Sequence, residues 1–512
     1  MKNHFINQRY WALLLSGLLL SSTCFAQSPN AQQILDRCVQ AFGGKAAINS
    51  VKYIKSSFLA HYHMLEQSER PEGPYIVAYE DGSEIKDLTN PGFRREMTSK
   101  SLLAQSKQID IFEKDLLVRD FSGRAFPLPG DFAQQARLYF LQSPLYLLQQ
   151  VLKNPNSVQY QGKKTIQGVP NYHLKFNLNQ TSIELFINQH TYLLTSVALD
   201  TELPNGFFWS IWGKFKAQVY YSLYHLLPGG VRYPQQWDLV RHDLPYKTYT
   251  FTKVALHQTI NEEEQSQLKI AQKTRTVAKR MNRGNIQSLK IKPKGKFAIS
   301  DGLFGWKHNW NVGVVVQQNG VYIIEAPMSS GYSEQIIQAV QKQYPTKKIK
   351  GVICTSDAWP HIGGVRQYAA SGIPIYTQQL NKPILQRIVK ANHVSYPDAL
   401  QKKPKKARFR LLDKKLTLDD PNNPMVIVPA NGEGAERMLF IYFPKQKVLY
   451  ASDMVQYSAR RKSFFMPQYL SEVNRIVQEE KWEVDTVFAM HTSPIPWQKV
   501  IEAIKKAKQA NR

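Results

Sequence analysis

Three side chains that could do chemistry share one short loop. Val352-Ile353-Cys354 is an apolar β-like run that breaks into a polar stretch carrying Ser356, Asp357 and His361. The stretch closes on Gly363-Gly364, just ahead of a helix-like segment. A strand delivering polar side chains to a glycine-opened helix is a common way to build a site. The first chemistry to weigh is a serine nucleophile, with Ser356, Asp357 and His361 drawn from the same loop. Such a triad needs the base to touch the nucleophile and a third group to orient the base. Nothing in the spacing secures that contact, and the chain has no Gly-x-Ser-x-Gly elbow.

The elements that must position this loop follow a strand and helix alternation. Val312 to Gln317 is an apolar strand, Gln318-Asn319-Gly320 a hairpin turn, and Val321 to Ile324 the return strand. Ser333 to Tyr344 is a helix with Ile336, Ile337 and Val340 on one face, and Ile349 to Cys354 is the strand entering the loop. Val365 to Ser371 continues as a helix and Ile373 to Tyr376 as a strand. Further strands are expected at Met425 to Val428, Met438 to Phe443, Val448 to Ala451 and Thr486 to Ala489. Helices are expected at Tyr469 to Glu480 and Trp497 to Lys508.

Upstream the grammar differs. Residues 31 to 43 place Ile34, Leu35, Cys38, Val39 and Phe42 at helical spacing, with Gly43-Gly44 as the stop. β-like runs follow at Val51 to Tyr62, Tyr75 to Tyr79 and Ile109 to Phe112. A helical stretch from Asp131 to Lys153 is broken at Pro144. From Val158 to Gln258 apolar and polar residues alternate, as in Tyr172, Leu174 and Phe176 or Ile183, Leu185 and Ile187. Such alternation describes an antiparallel sheet with one buried face. Asn261 to Lys296 is polar and basic and reads as a connecting helix or linker.

At 512 residues the chain is too long for one core. Lys2 and Arg9 precede the apolar run Trp11 to Leu20, and small residues flank Phe25, so the start reads as a secretory signal cut after Ala26. A rival reading makes Cys24 a lipidated cysteine. The address is then periplasmic or secreted. Removal of the signal leaves Cys38 and Cys354 in different domains, which argues against a disulfide framework. The net charge of +27 comes with no basic groove interleaved with aromatics, so nucleic acid is not an expected partner. The charge is either a solvated surface or a means of peripheral contact with an anionic envelope surface.

From about Gly302 to Lys508 the chain resembles the metallo-β-lactamase fold superfamily. NVGVVVQQNGVYIIEAP is similar to its opening hairpin, GVICTSDAWPHIGG stands in the place of its TH-x-H-x-D-H-x-G-G motif, and SGIPIYT follows as the next strand. FIYFPKQKVLYASDM is similar to the strand pair ending in the metal-bridging aspartate, and VFAMHTSP to the strand ending in the last metal histidine. The resemblance implies an αββα sandwich with its site at the edge of two sheets. It departs at Ser356, Ala358 and Pro360, which replace two histidines and an aspartate, while His361 is kept. The third-histidine loop, PANGEGAER, has no histidine, leaving Glu433 or Glu436 as stand-ins. Asp453 matches the bridging aspartate and His491 the final histidine.

The resemblance therefore implies a reduced, mononuclear site held by His361, Asp453 and His491, with Asp357 as auxiliary ligand or base. That donor set suits zinc, and also iron(II) or manganese(II). The implied activity is hydrolysis of an ester, thioester, amide or phosphoester in a small-molecule or lipid-like substrate. Each residue also has an ordinary role: His361 bonded to backbone carbonyls, Asp453 capping a turn, His491 in a loop, Trp359 in packing. The competing reading is a non-catalytic member of the fold, without metal, acting as an envelope binding or scaffold module. Residues 28 to 260 resemble the lipoprotein-carrier and lipoprotein-sorting fold through the opening helix ending in AFGG and the meander, which implies an apolar cavity for acyl chains. The expected fold class is α+β, with residues 1–26 a signal, 27–260 a curved antiparallel sheet with helices, 261–296 a basic linker and 297–512 the sandwich.

Overall fold

The computed structural model describes residues 30–510 except 66–74, 102–104, 122, 129, 207, 281–285, 292–294, 308–309, 433 and 435–436. The expected signal segment, Cys24, Glu433 and Glu436 lie outside the described residues. No helix among the described residues is long and apolar enough to cross a membrane. Cys38 and Cys354 are free and buried.

The chain opens with α1 (Ala31–Ala41), which Asn30 and Gln33 close with a reciprocal capping box, and α2 (Lys45–Ser50). A first meander runs through β1 (Tyr53–His63), β2 (Val77–Asp87), β3 (Gly92–Lys100), β4 (Gln105–Glu113), β5 (Leu116–Phe121) and β6 (Arg124–Pro127). The helical stretch that follows splits into α3 (Gly130–Leu141) and α4 (Pro144–Lys153). Pro144 sits in the first turn of α4, where its missing N–H costs no hydrogen bond. A second meander runs through β7 (Gln159–Ile166), β8 (Val169–Leu178), β9 (Thr181–Asn188), β10 (Leu194–Glu202), β11 (Lys214–Leu226), β12 (Arg232–Arg241) and β13 (Leu244–His257). Antiparallel pairing of β1 with β13 joins the meanders into one sheet of thirteen strands. α3 and α4 cover it with Tyr139, Phe140, Leu145 and Leu148, packed against Phe58, Phe93, Phe112 and Trp237.

The connecting segment forms α5 (Glu262–Gln267) and α6 (Gln272–Arg280). It lies against the first meander: Lys55 pairs with Glu264 at 2.5 Å, and Glu113 takes both the Ile270 N–H and the Arg275 guanidinium.

The remaining chain builds two facing sheets. The first contains β14 (Lys296–Ser300), β15 (Leu303–Trp306), β16 (Val312–Gln317), β17 (Gly320–Ile324), then β18 (Ile349–Cys354), β19 (Ile375–Gln378) and β20 (Phe409–Leu412) in that order. β17 to β20 are parallel. Their crossovers carry α7 (Ser330–Gln343), α8 (Trp359–Ile362), α9 (Val365–Ser371), α10 (Lys382–Lys390) and α11 (Ala399–Lys402). The second sheet orders β21 (Leu416–Leu418), β22 (Met425–Ala430), β23 (Met438–Phe443), β24 (Val448–Tyr450), β27 (Thr486–Ala489) and β28 (Thr492–Pro496). Between β24 and β27 lie a small hairpin, β25 (Tyr457–Ser458) and β26 (Ser463–Phe464), and α12 (Leu470–Glu479); α13 (Gln498–Ala510) ends the chain.

Adjacent residues on one strand serve different layers. Val315, Ile324 and Ile353 meet Ile427, Leu439, Ile441 and Phe488 between the sheets. Val314, Ile323 and Val352 pack outward against Ile336, Val340 and Tyr368 of the first helical layer. Phe440, Leu449 and Val487 pack outward against Val473, Ile476 and Val500 of the second. Strands buried on both faces read as unbroken apolar runs, which is why these segments showed in the sequence. Helix, sheet, sheet, helix is thus the observed layering of this half of an α+β chain.

Candidate active site

Central strands of the two sheets point their C-terminal ends at one place. β18 ends at Cys354 and hands over to Thr355, while β17 ends one residue before Glu325. From the second sheet β24 leads to Ser452 and Asp453, and the turn between β27 and β28 carries His491. The carbonyl of Thr355 accepts the Leu439 N–H at 2.8 Å, which ties the loop to the facing sheet. α8 is one turn long, carries Pro360 in its first turn and presents His361 inward. The two glycines after it are needed for close approach: a Cβ on Gly363 would lie 2.7 Å from the Met328 carbonyl oxygen, and one on Gly364 would lie 2.6 Å from that of Ser329.

His361 is fully buried and uses both ring nitrogens. Nδ1 lies 2.9 Å from Glu325 Oε1, and Nε2 lies 3.2 Å from Asp453 Oδ2. The other oxygen of Asp453 lies 3.0 Å from His491 Nε2. Glu325 is itself fully buried, and Tyr450 donates its hydroxyl to Oε1 at 2.7 Å. The Thr355 N–H donates to Glu325 Oε2 at 3.2 Å, and the Thr355 hydroxyl bonds both Glu325 and, at 2.7 Å, Ser452 Oγ. Glu325 (φ 78°), Met328 (φ 72°) and Ser452 (φ 49°) hold left-handed backbone conformations without being glycine. Such strain persists where the surroundings over-determine it, and it clusters at functional sites.

Burial disfavours a charged imidazole, yet the Glu325 and Asp453 carboxylates outweigh it and raise His361 to about 10. Burial likewise opposes ionisation of Asp453, and the two imidazoles still hold its carboxyl far below the ordinary range. Tyr450 is pushed up by burial and by the facing Glu325. The site is a pocket of negative charge: two carboxylates, two imidazoles, and strong attraction for any cation between them.

The structure therefore brings His361, Asp453 and His491 together. They form a string with the carboxylate in the middle; no group of three or more His, Cys, Asp or Glu side chains among the described residues is placed as a metal cage. In donor type the string fits one divalent ion. The two imidazoles approach different oxygens of Asp453, Oδ2 at 3.2 Å and Oδ1 at 3.0 Å. Glu325 on the far nitrogen of His361 is the carboxylate partner that a metal-ligating histidine ordinarily has. Asp357 is buried and faces Arg437, with Oδ2 3.8 Å from Nη1. Ser356 Oγ accepts the Ala358 N–H within its own loop, and Thr355 is the hydroxyl that approaches His361, at 3.4 Å from Nδ1. Glu325, Thr355, Tyr450 and Ser452 were not among the residues expected from sequence. The available signal was a carboxylate closing the wholly apolar run Val321 to Ile324.

No family model matches the chain, and no curated protein matches it in sequence. Solved structures are similar to part of it. One is the metallo-beta-lactamase FIM-1 from Pseudomonas aeruginosa in a mono-zinc form, at 14% identity over 44% of this chain and 97% of that one, with a TM-score of 0.33. A second is a metallo-beta-lactamase from Erythrobacter litoralis, at 10% identity over 42% and 96%, with a TM-score of 0.32. A third is the inverting sec-alkylsulfatase Pisa1 from Pseudomonas sp., at 13% identity and a TM-score of 0.32, over 41% of this chain and 40% of that one.

Proposed function

We propose that the C-terminal sandwich is a metal-dependent hydrolase with a single metal position, formed by His361, Asp453 and His491. The observation that carries this reading is the pair of imidazoles on the two oxygens of one carboxylate, backed by a second buried carboxylate, with no lysine or arginine among the described residues bonded to either. A metal held there would supply Lewis acidity, polarising the bond to be cut and lowering the pKa of water. The chain's own residues supply orientation. Glu325, braced by Tyr450 and Thr355, fixes the ring of His361, and Asp453 fixes His491. Trp359, two residues before His361, is buried edge-on to Phe208 at 5.3 Å and Trp310 at 5.2 Å and anchors the loop that carries His361. The substrate class is an ester, thioester, amide or phosphoester of a small or lipid-like molecule, met after export. N-terminal sequencing of the mature protein should begin at Gln27.

A second reading has its own support. His361 lies between Glu325 and Asp453, which both favour its charged form, so a proton can serve where the metal would, and the domain would then be a non-catalytic binding module. Metal analysis separates the two. The untagged mature chain is purified beside a His361→Ala/His491→Ala variant, and zinc, iron and manganese are counted per chain. About one metal in the wild type and none in the variant supports the hydrolase. No metal in either after reconstitution overturns it in favour of the proton-closed module.

A further inference from the structure

Beneath α3 the N-terminal sheet holds a cavity of about 410 Å³, within the usual range of small-molecule sites. Four cations stand on its wall, and three have carboxylate partners. Arg119 is bidentate on Asp110 at 2.7 and 2.8 Å, Lys247 lies 2.5 Å from Glu80, and Arg95 bonds Glu84 at 2.9 and 2.6 Å.

The fourth is Arg241. It is 4% exposed and makes no ion pair with a carboxylate among the described residues. Two aromatic rings lie against it, with the centroids of Tyr246 at 3.6 Å and Trp209 at 4.5 Å from the guanidinium carbon and 5.6 Å from each other, so they meet it from two adjoining sides. Its nitrogens are only partly used: Nη2 donates to Gln135 Oε1 at 3.2 Å, and Nη1 is buried without a hydrogen-bond partner among the described residues. The other acidic group on this wall, Asp131, is 5% exposed with Oδ1 unpartnered, and it forms no ion pair with Arg241. A buried guanidinium without a counter-charge is costly, and a planar edge with free N–H donors matches a carboxylate.

We propose that this cavity binds a small organic carboxylate, its head on the edge of Arg241 and its apolar body against Phe93, Phe132, Tyr139 and Trp209. Those four rings line the same space. The site is independent of the metal position and of hydrolysis. Its edge still reaches toward that domain, because Phe208, next to Trp209, meets Trp359 two residues before His361.

The test is calorimetric titration of the full mature chain with hexanoate and benzoate, beside hexanol, benzyl alcohol and hexylamine. One equivalent of at least one acid should bind, about tenfold or more tighter than its matched alcohol, with the amine not binding. Whether hexanoate or benzoate binds better tells an aliphatic from an aromatic source. Arg241→Gln should cut the acid's affinity about tenfold or more and leave the alcohol unchanged. Acid and alcohol binding equally, neither acid binding at millimolar concentration, or an unaltered Arg241→Gln variant would each overturn the proposal. If that variant does not fold, the acid, alcohol and amine series on the wild type decides alone.

Discussion

Two clusters of buried charge, one in each half of the molecule, solve opposite problems. In the N-terminal sheet Glu84 is one carboxylate between two cations, Arg95 and Lys86, all three buried. Arg95 bonds it through two nitrogens, Tyr139 donates to it at 3.1 Å, and Lys86 Nζ lies 3.4 Å away. The surplus positive charge is spread over aromatic faces: Lys86 stands 4.0 Å from the Tyr139 centroid and 5.1 Å from that of Trp237, and Arg95 stands 4.8 Å from that of Phe93. In the C-terminal sandwich the surplus is negative. Ring faces stabilise cations and do nothing for a second carboxylate, so Glu325 and Asp453 need a cation, which here is a proton or a metal and hence exchangeable. The first cluster is closed by covalently fixed groups and the second by something that can leave.

The largest effect should come from breaking the fixed cluster. Glu84→Ala leaves two buried cations without an anion, and unpaired buried charges of this kind cost about 3–5 kcal/mol. Urea denaturation of the variant should show that loss, whether or not metal is present. A loss under 1 kcal/mol would mean that the aromatic faces alone hold both cations, and the contrast between the clusters would fall.

The next effect belongs to the exchangeable cluster. Zinc at a hundred times its dissociation constant should stabilise the wild type by about 2.7 kcal/mol, because it binds only the folded chain. The gain should vanish in His491→Ala and persist in Lys86→Met. Thermal midpoints read with zinc and then with chelator check this. A midpoint that moves in none of the three proteins would make the C-terminal string a proton-closed cluster.

A smaller effect distinguishes the clusters by pH. Burial lowers Lys86 to about 8 against the pull of Glu84, while an unfolded lysine titrates near 10.4. Between these values the unfolded chain holds the proton that the folded chain has released, so the cost of burying the charged lysine, present in full below pH 8, is relieved as pH rises. Wild-type stability relative to Lys86→Met should climb from pH 8 to 10, by at most about 1.4 kcal/mol per pH unit. Paired denaturation curves at pH 7, 8, 9 and 10 measure it; a flat difference would show Lys86 to be charged throughout.

The sequence made the interior legible and hid the margins. Val312–Gln317, Ile349–Cys354, Met438–Phe443 and Thr486–Ala489 stand where their apolar runs placed them, because both faces of each strand are buried. The strands that went unread include Lys296–Ser300, Phe409–Leu412, Leu416–Leu418 and Thr492–Pro496, and each is an edge of its sheet. An edge strand is short, half wet and mixed in composition, so it carries little periodic signal. The site divides in the same way. His361 stood out in the polar loop after Cys354, and Asp453 and His491 only through the family positions that the resemblance assigned them. Glu325 and Tyr450, 125 residues apart, were not: a tyrosine inside an apolar run reads as core, and only the fold shows that its hydroxyl meets a carboxylate.

Asp357 tests how far the exchangeable cluster extends. Its carboxylate lies in the same loop as His361, yet it faces Arg437, with Oδ2 3.8 Å from Nη1, a separation too long for a direct hydrogen bond. Asp357→Asn keeps the shape and removes the charge. If Asp357 belongs to a loop-bracing pair, the variant should lose about 1 kcal/mol and keep its metal per chain unchanged. If it serves as auxiliary ligand or base, metal affinity or turnover should fall with stability intact. Stability and metal content measured on the same preparation tell these apart, because a bracing residue moves the first and a ligand moves the second.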